Sequence, residues 1–128
     1  MKSKPTLGLV DYGMGNLNSV SKALELAGAK VKAVERVSDL RNCGGIVLPG
    51  VGAFSTAIRN LKKKALFEPV KDWIEEGKYF LGICLGYQML FEKSEETLGG
   101  REKGLGIFKG TVRRFSAGTE LKVPHMGW

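Results

Sequence analysis

The sequence predicts an α/β fold: an open, mostly parallel sheet flanked by helices, with antiparallel strands at one edge toward the C-terminus. Three observations carry that expectation. Short apolar runs recur at 6–10, 31–34, 46–48 and 79–83, each of strand length. Two of the stretches between them, after 6–10 and after 46–48, place apolar residues at helical spacing. The 18 glycines cluster beside the apolar runs, as in strands that end in tight turns. Strands alternating with helices imply parallel pairing, each helix serving as a crossover.

The first strand, 6–10, runs into the loop Asp11-Tyr12-Gly13-Met14-Gly15-Asn16. A helix follows, because Leu17, Val20, Leu24 and Ala27 fall on one face. Asn16 or Asn18 is placed to cap its start and Gly28 to stop it. The second strand is 31–34. The third, Ile46-Val47-Leu48, is wholly apolar, as expected of a strand buried on both faces, and ends in Pro49-Gly50-Val51-Gly52. Residues 54–76 read as helix with a break near Pro69, and the stripe of Val70, Trp73 and Ile74 reads as core. Gly77 stops that helix, 79–83 is the fourth strand, and 85–92 reads as a short helix. From Gly104 the pattern turns to strand at 105–108, 111–115 and 121–123, the expected antiparallel edge. No repeat or low-complexity linker divides the chain. Its 128 residues suffice for a single domain, 1–128, and are too few for two.

Composition narrows the function classes. Hydrophobic residues make up 43% and charged residues 26%, the proportions of a globular domain rather than of a disordered or collagen-like chain. No stretch approaches the roughly 18–20 uninterrupted apolar residues of a membrane span, and the start lacks the long apolar core of a signal peptide. A cytoplasmic protein with no membrane partner is expected. The 20 Lys+Arg against 13 Asp+Glu give a formal net charge of +7. The densest basic run, Lys62-Lys63-Lys64, sits in a helical pattern and reads as a solvated face. No aromatic residues interleave with basic ones in the manner of single-strand binders, so a nucleic-acid partner is not expected. A positive surface equally suits anionic metabolites or an acidic protein partner. Two cysteines, Cys43 and Cys84, and one histidine, His125, offer no metal-ligand spacing. Counting leaves one disulfide open, and a reducing compartment argues against it.

The sharpest chemical feature is Gly82-Ile83-Cys84-Leu85-Gly86, between a strand and a helix. This is the nucleophile-elbow spacing with cysteine at its centre. A residue at such a turn projects from the sheet, and the positions two before and two after approach each other too closely for side chains. The helix that follows directs its N-terminal dipole at the sulfur, favouring thiolate, and leaves the Leu85 amide free to donate to an oxyanion. A buried structural cysteine between two packing glycines is the competing reading of the pentapeptide. Pro49-Gly50-Val51-Gly52 also lies at a strand C-terminus, the side on which open α/β sheets bind ligands. Its glycine amides suit a second oxyanion donor, although a plain turn has the same composition. Gln88 lies one helical turn beyond Cys84, and its amide leans back toward the sulfur; alone, such a residue is often merely solvated. Gly13-x-Gly15-x-x-Asn18 has only two glycines of a dinucleotide fingerprint, and no acidic residue cleanly ends the second strand, so no nucleotide cofactor is expected. A cysteine acyl-transfer site needs a histidine base and a carboxylate to orient it. No carboxylate follows His125 in the Val123-Pro124-His125-Met126-Gly127-Trp128 segment.

Five stretches now bear on family: DYGMGN at 11–16, LPGVGAF at 48–54, GICLGYQMLFEKSEE at 82–96, GLGIFKG at 104–110 and KVPHMGW at 122–128. On these residues the sequence resembles the class I glutamine amidotransferases, and within them the glutaminase subunits of imidazole glycerol phosphate synthases, from histidine biosynthesis. The resemblance implies a flavodoxin-like amidotransferase fold, without a cofactor or metal. It implies Cys84 as the nucleophile that attacks the carboxamide of glutamine, forms a glutamyl thioester and releases ammonia. Backbone amides around Gly50 and Gly52 and on Leu85 would form the oxyanion hole, and Gln88 and Glu96 would hold the glutamine. Tyr12, Asn16 and Trp128 would face the partner, a (β/α)8-barrel cyclase in a heterodimer, which takes the ammonia through a channel. Glutaminase activity in that family depends on the cyclase and its nucleotide substrate. The family's catalytic histidine and glutamate lie further toward the C-terminus, and His125 matches the PHMGW motif instead. The chain is therefore expected to be an N-terminal portion of that domain, incomplete at its C-terminus and impaired in turnover. Cys43 matches no catalytic position and is expected to be structural. Three further readings stand beside this one: another class I amidotransferase, a cysteine hydrolase of the α/β-hydrolase type, which shares G-x-C-x-G, and a non-catalytic module that only docks to a partner.

Overall fold

The computed structural model describes residues 3–96 and 102–115. Strands β1 (Thr6–Val10), β2 (Lys30–Val34), β3 (Gly45–Leu48) and β4 (Tyr79–Gly82) form one sheet in the order β2-β1-β3-β4, every pair parallel. The expected open parallel sheet is present, each strand beginning or ending within a residue of its expected bounds. Parallel neighbours cannot be joined by a hairpin, so a crossover separates each pair. Helix α1 (Leu17–Leu26) joins β1 to β2, its start capped by the Asn16 side chain, which accepts the Ser19 N–H at 3.3 Å. A short 3-10 turn at Val37–Leu40 leads from β2 toward β3.

Helices α2 (Phe54–Lys63) and α3 (Phe67–Glu75) join β3 to β4. The break in this helical stretch is real but precedes Pro69. It falls at Lys64–Leu66, where Ala65 has φ +54°. Pro69 is instead the third residue of α3, where its missing N–H costs no helical hydrogen bond. Helix α2 buries Phe54, Ala57, Ile58 and Leu61, one stripe at helical spacing, and α3 buries Val70 and Trp73. These side chains join Val10, Ile46 and Leu48 of the sheet in one core. The Trp73 indole donates to the Tyr79 carbonyl at 2.9 Å and ties α3 to β4.

Beyond β4 the structure departs from expectation. The helix expected over 85–92 is a single turn, α4 (Leu85–Gln88), followed by a strand, β5 (Phe91–Ser94). Leu105 donates to the Met89 carbonyl at 2.7 Å and Phe108 to the Leu90 carbonyl at 3.1 Å, so these carbonyls meet a returning segment and do not extend a helix. That segment becomes β6 (Phe108–Val112), which pairs with β5 in a separate two-stranded sheet. The pair is parallel, so the antiparallel edge expected from 105–115 is corrected here. The intervening 95–107 is long enough for the crossover that parallel pairing requires. Residues 121–123 lie outside the described residues.

Candidate active site

The site forms where β3 and β4 end side by side. Cys84 follows β4 directly and precedes α4, with φ +55° and ψ −117°. A cysteine in that sparsely populated region is held there by its surroundings. Gly82 and Gly86 show how. A Cβ on Gly82 would lie 2.9 Å from Tyr87 N and Cα, and one on Gly86 would overlap the Leu48 carbonyl. The Leu48 carbonyl also accepts the Ile83 N–H at 3.0 Å, stitching the elbow to β3. The flanking glycines are thus required by close backbone approach, and Cys84 is exposed at the bend. Buried packing between glycines, the competing reading, does not describe it.

Gly86 N–H donates to Ile83 O and Gln88 N–H to Cys84 O, whereas the Leu85 amide, first in the helix, has no acceptor within it. Because α4 is one turn long, it sums few peptide dipoles. The elbow therefore supplies geometry and amides more than a macrodipole. The Pro49–Gly52 turn packs against this helix start: a Cβ on Gly50 would lie 2.9 Å from Leu85 Cβ and 3.3 Å from Gly86 N. The two backbone segments proposed from sequence for an oxyanion are therefore neighbours.

Two adjoining cavities open beside the sulfur. One of about 380 Å³ is lined by Cys84, Tyr87, Gln88, Phe91, Thr111 and Val112. The other, of about 600 Å³, is lined by Gln88, Ser94, Glu95, Glu96 and 112–114. Gln88 and Val112 belong to both. The structure thus places Cys84 and Gln88 on one cavity and Gln88 and Glu96 on its neighbour, although Glu96 lies beyond the helix that carries Gln88. The pairing of β5 with β6 makes this possible, with Glu95 N–H bonded to Val112 O at 2.9 Å. Sequence reasoning missed the 111–114 wall, because no motif announces which strand will return beside Cys84.

Tyr12 is corrected. It is 1% exposed, and its hydroxyl donates to the Pro49 carbonyl at 2.6 Å. A side chain so enclosed presents nothing to a partner. Asn16 is exposed, with its side-chain oxygen engaged as the α1 cap. Trp128 and His125 lie outside the described residues. Cys43 is a half-buried free thiol that donates to Asp39 O at 3.5 Å, so neither cysteine is in a disulfide. Burial pushes the Cys43 thiol pKa up.

The CobB/CobQ-like glutamine amidotransferase domain matches residues 12–117. The imidazole glycerol phosphate synthase subunit HisH of Nostoc punctiforme is 52% identical over 124 residues, covering 97% of this chain and 57% of that protein. The subunit of the same name from Thermosynechococcus vestitus is 50% identical over 126 residues, covering 98% and 59%. The chain thus spans a little over half the length of the curated relatives it matches. Among solved structures, a glutamine amidotransferase superposes with a TM-score of 0.72 at 22% identity, covering 90% of this chain and 59% of that one. A putative peptidase E protein from Listeria monocytogenes superposes with a TM-score of 0.60 at 19% identity, covering 71% and 52%. These two likenesses are of fold alone.

Proposed function

The chain belongs to the CobB/CobQ-like glutamine amidotransferase family, and on that premise we propose that it carries the nucleophile part of a cytoplasmic glutaminase serving imidazole glycerol phosphate synthesis. Cys84 Sγ attacks the carboxamide carbon of L-glutamine. The Leu85 amide and an amide of the Gly50–Gly52 turn hold the developing oxyanion. Collapse breaks the C–N bond, ammonia leaves with a proton, and the glutamyl group remains as a thioester that water hydrolyses to glutamate. Gln88 and Glu96 hold the amino-acid end of the substrate in the hollow beside the sulfur. The histidine base and its carboxylate are the part of the chemistry that the family places further along the chain. The ammonia passes to a (β/α)8-barrel cyclase, with Asn16 and Trp128 on the surface that faces it.

One observation carries this reading: an exposed cysteine with φ +55° at an elbow whose glycines admit no side chain. Strain of that kind persists only where the surrounding structure maintains it. The test is glutamate release by the full-length gene product assembled with its cyclase. Cys84→Ala is expected to lower the rate by about three orders of magnitude or more. Retention of glutamine hydrolysis by that variant would contradict the proposal. Hydrolysis of simple esters with no preference for glutamine would favour the hydrolase alternative.

A further inference from the structure

We propose that Tyr12 is a positioning residue for the oxyanion turn: its hydroxyl holds the Pro49–Gly50 peptide in place against the start of α4. This rests on the reading of Cys84 as nucleophile and of the Gly50–Gly52 turn as an oxyanion binder. Tyr12 lies just past the end of β1, and Pro49 just past the end of β3. These strands are paired neighbours, so their C-terminal loops lie side by side. The Tyr12 Oη–Pro49 O distance of 2.6 Å is at the short end for hydroxyl donors.

The peptide plane turns that bond into a constraint on the site. The carbonyl of Pro49 and the N–H of Gly50 share one rigid plane and point in opposite directions. Anchoring the carbonyl therefore sets the direction of the Gly50 N–H. Contacts around Gly50 leave little room for another arrangement. A Cβ there would overlap Tyr12 Oη as well as approach Leu85 Cβ to 2.9 Å. The hydroxyl and the nucleophile helix thus both abut the turn at Gly50. The same loop also packs beside Gly52, where a Cβ would lie 2.8 Å from Met14 Cε. Packing alone calls only for an aromatic ring at position 12, so the hydroxyl is the part that packing does not require. Burial raises the phenol's pKa, and the group remains a donor throughout the neutral range.

The test compares two reagents at Cys84 of the full-length gene product assembled with its cyclase. The chloromethyl ketone analogue of glutamine alkylates through a tetrahedral oxyanion, forming the S–C bond as chloride leaves. Iodoacetamide displaces iodide at saturated carbon and forms no oxyanion. Tyr12→Phe is expected to lower the ratio of the first rate to the second by about five- to tenfold, the rate equivalent of one lost hydrogen bond. 4-Aminophenylalanine at position 12, which still donates, is expected to recover most of the loss. Should Tyr12→Phe fail to melt cooperatively, 4-fluorophenylalanine, near the hydroxyl's size but unable to donate, repeats the measurement. An unchanged ratio without the donor overturns the role of Tyr12, as does an equal loss in the amino variant, which would assign the effect to packing. A wild-type Cys84 with no preference for the glutamine analogue overturns the underlying glutaminase reading instead.

Discussion

Cys84 shows how one residue's backbone conformation bears on function. At φ +55° its Cβ is crowded, and strain of this kind costs about 1–3 kcal/mol. Glycine removes the crowding while adding unfolded-state entropy, so Cys84→Gly is expected to be more stable than Cys84→Ala by about 1 kcal/mol. Equal denaturation midpoints for the two variants would mean that the elbow is unstrained. The elbow was legible in the sequence because its two glycines sit at fixed offsets from the cysteine, and the close approaches at Gly82 and Gly86 are what those offsets require. Tyr12 was not legible. Its acceptor lies 37 residues away, and the motif around it equally describes an exposed loop.

Among the elements, α4 and β3 form the junction on which the site depends. Gly86→Ala would drive a methyl into the Leu48 backbone carbonyl, which cannot move without loosening the bond it accepts from Ile83. A loss of about 3 kcal/mol or more is expected, together with loss of selective labelling at Cys84. A near-neutral melt with labelling intact would show that the elbow tolerates a gap between helix and strand. Most of the strands and helices up to β4 were readable from period and glycine placement, whereas the break between α2 and α3 falls at Ala65 rather than near Pro69. The end of α4 was not readable. Met89 and Leu90 continue a helical pattern, and only the tertiary bonds from Leu105 and Phe108 end it. The direction of β6 was equally hidden, since strand periodicity says nothing of parallel or antiparallel pairing.

Across the whole molecule, β4 stands at the edge of the described sheet, with Tyr79 84% and Leu81 52% exposed. An edge with apolar side chains on its open face favours association. The 128-residue chain is therefore expected to sediment as larger species with rising concentration, and Leu81→Lys to shift it toward monomer. A clean monomer at all concentrations would count against this. The larger claim is that the sheet's C-terminal end forms a glutamine site around Cys84. Its most direct test is mass-spectrometric mapping of both cysteines after treatment with the chloromethyl ketone analogue of glutamine, with and without excess L-glutamine. The prediction is modification at exposed Cys84, suppressed by glutamine, with little at half-buried Cys43, whose thiol burial holds in the protonated form. Equal modification of both thiols, or labelling of Cys84 that glutamine leaves unchanged, would contradict it.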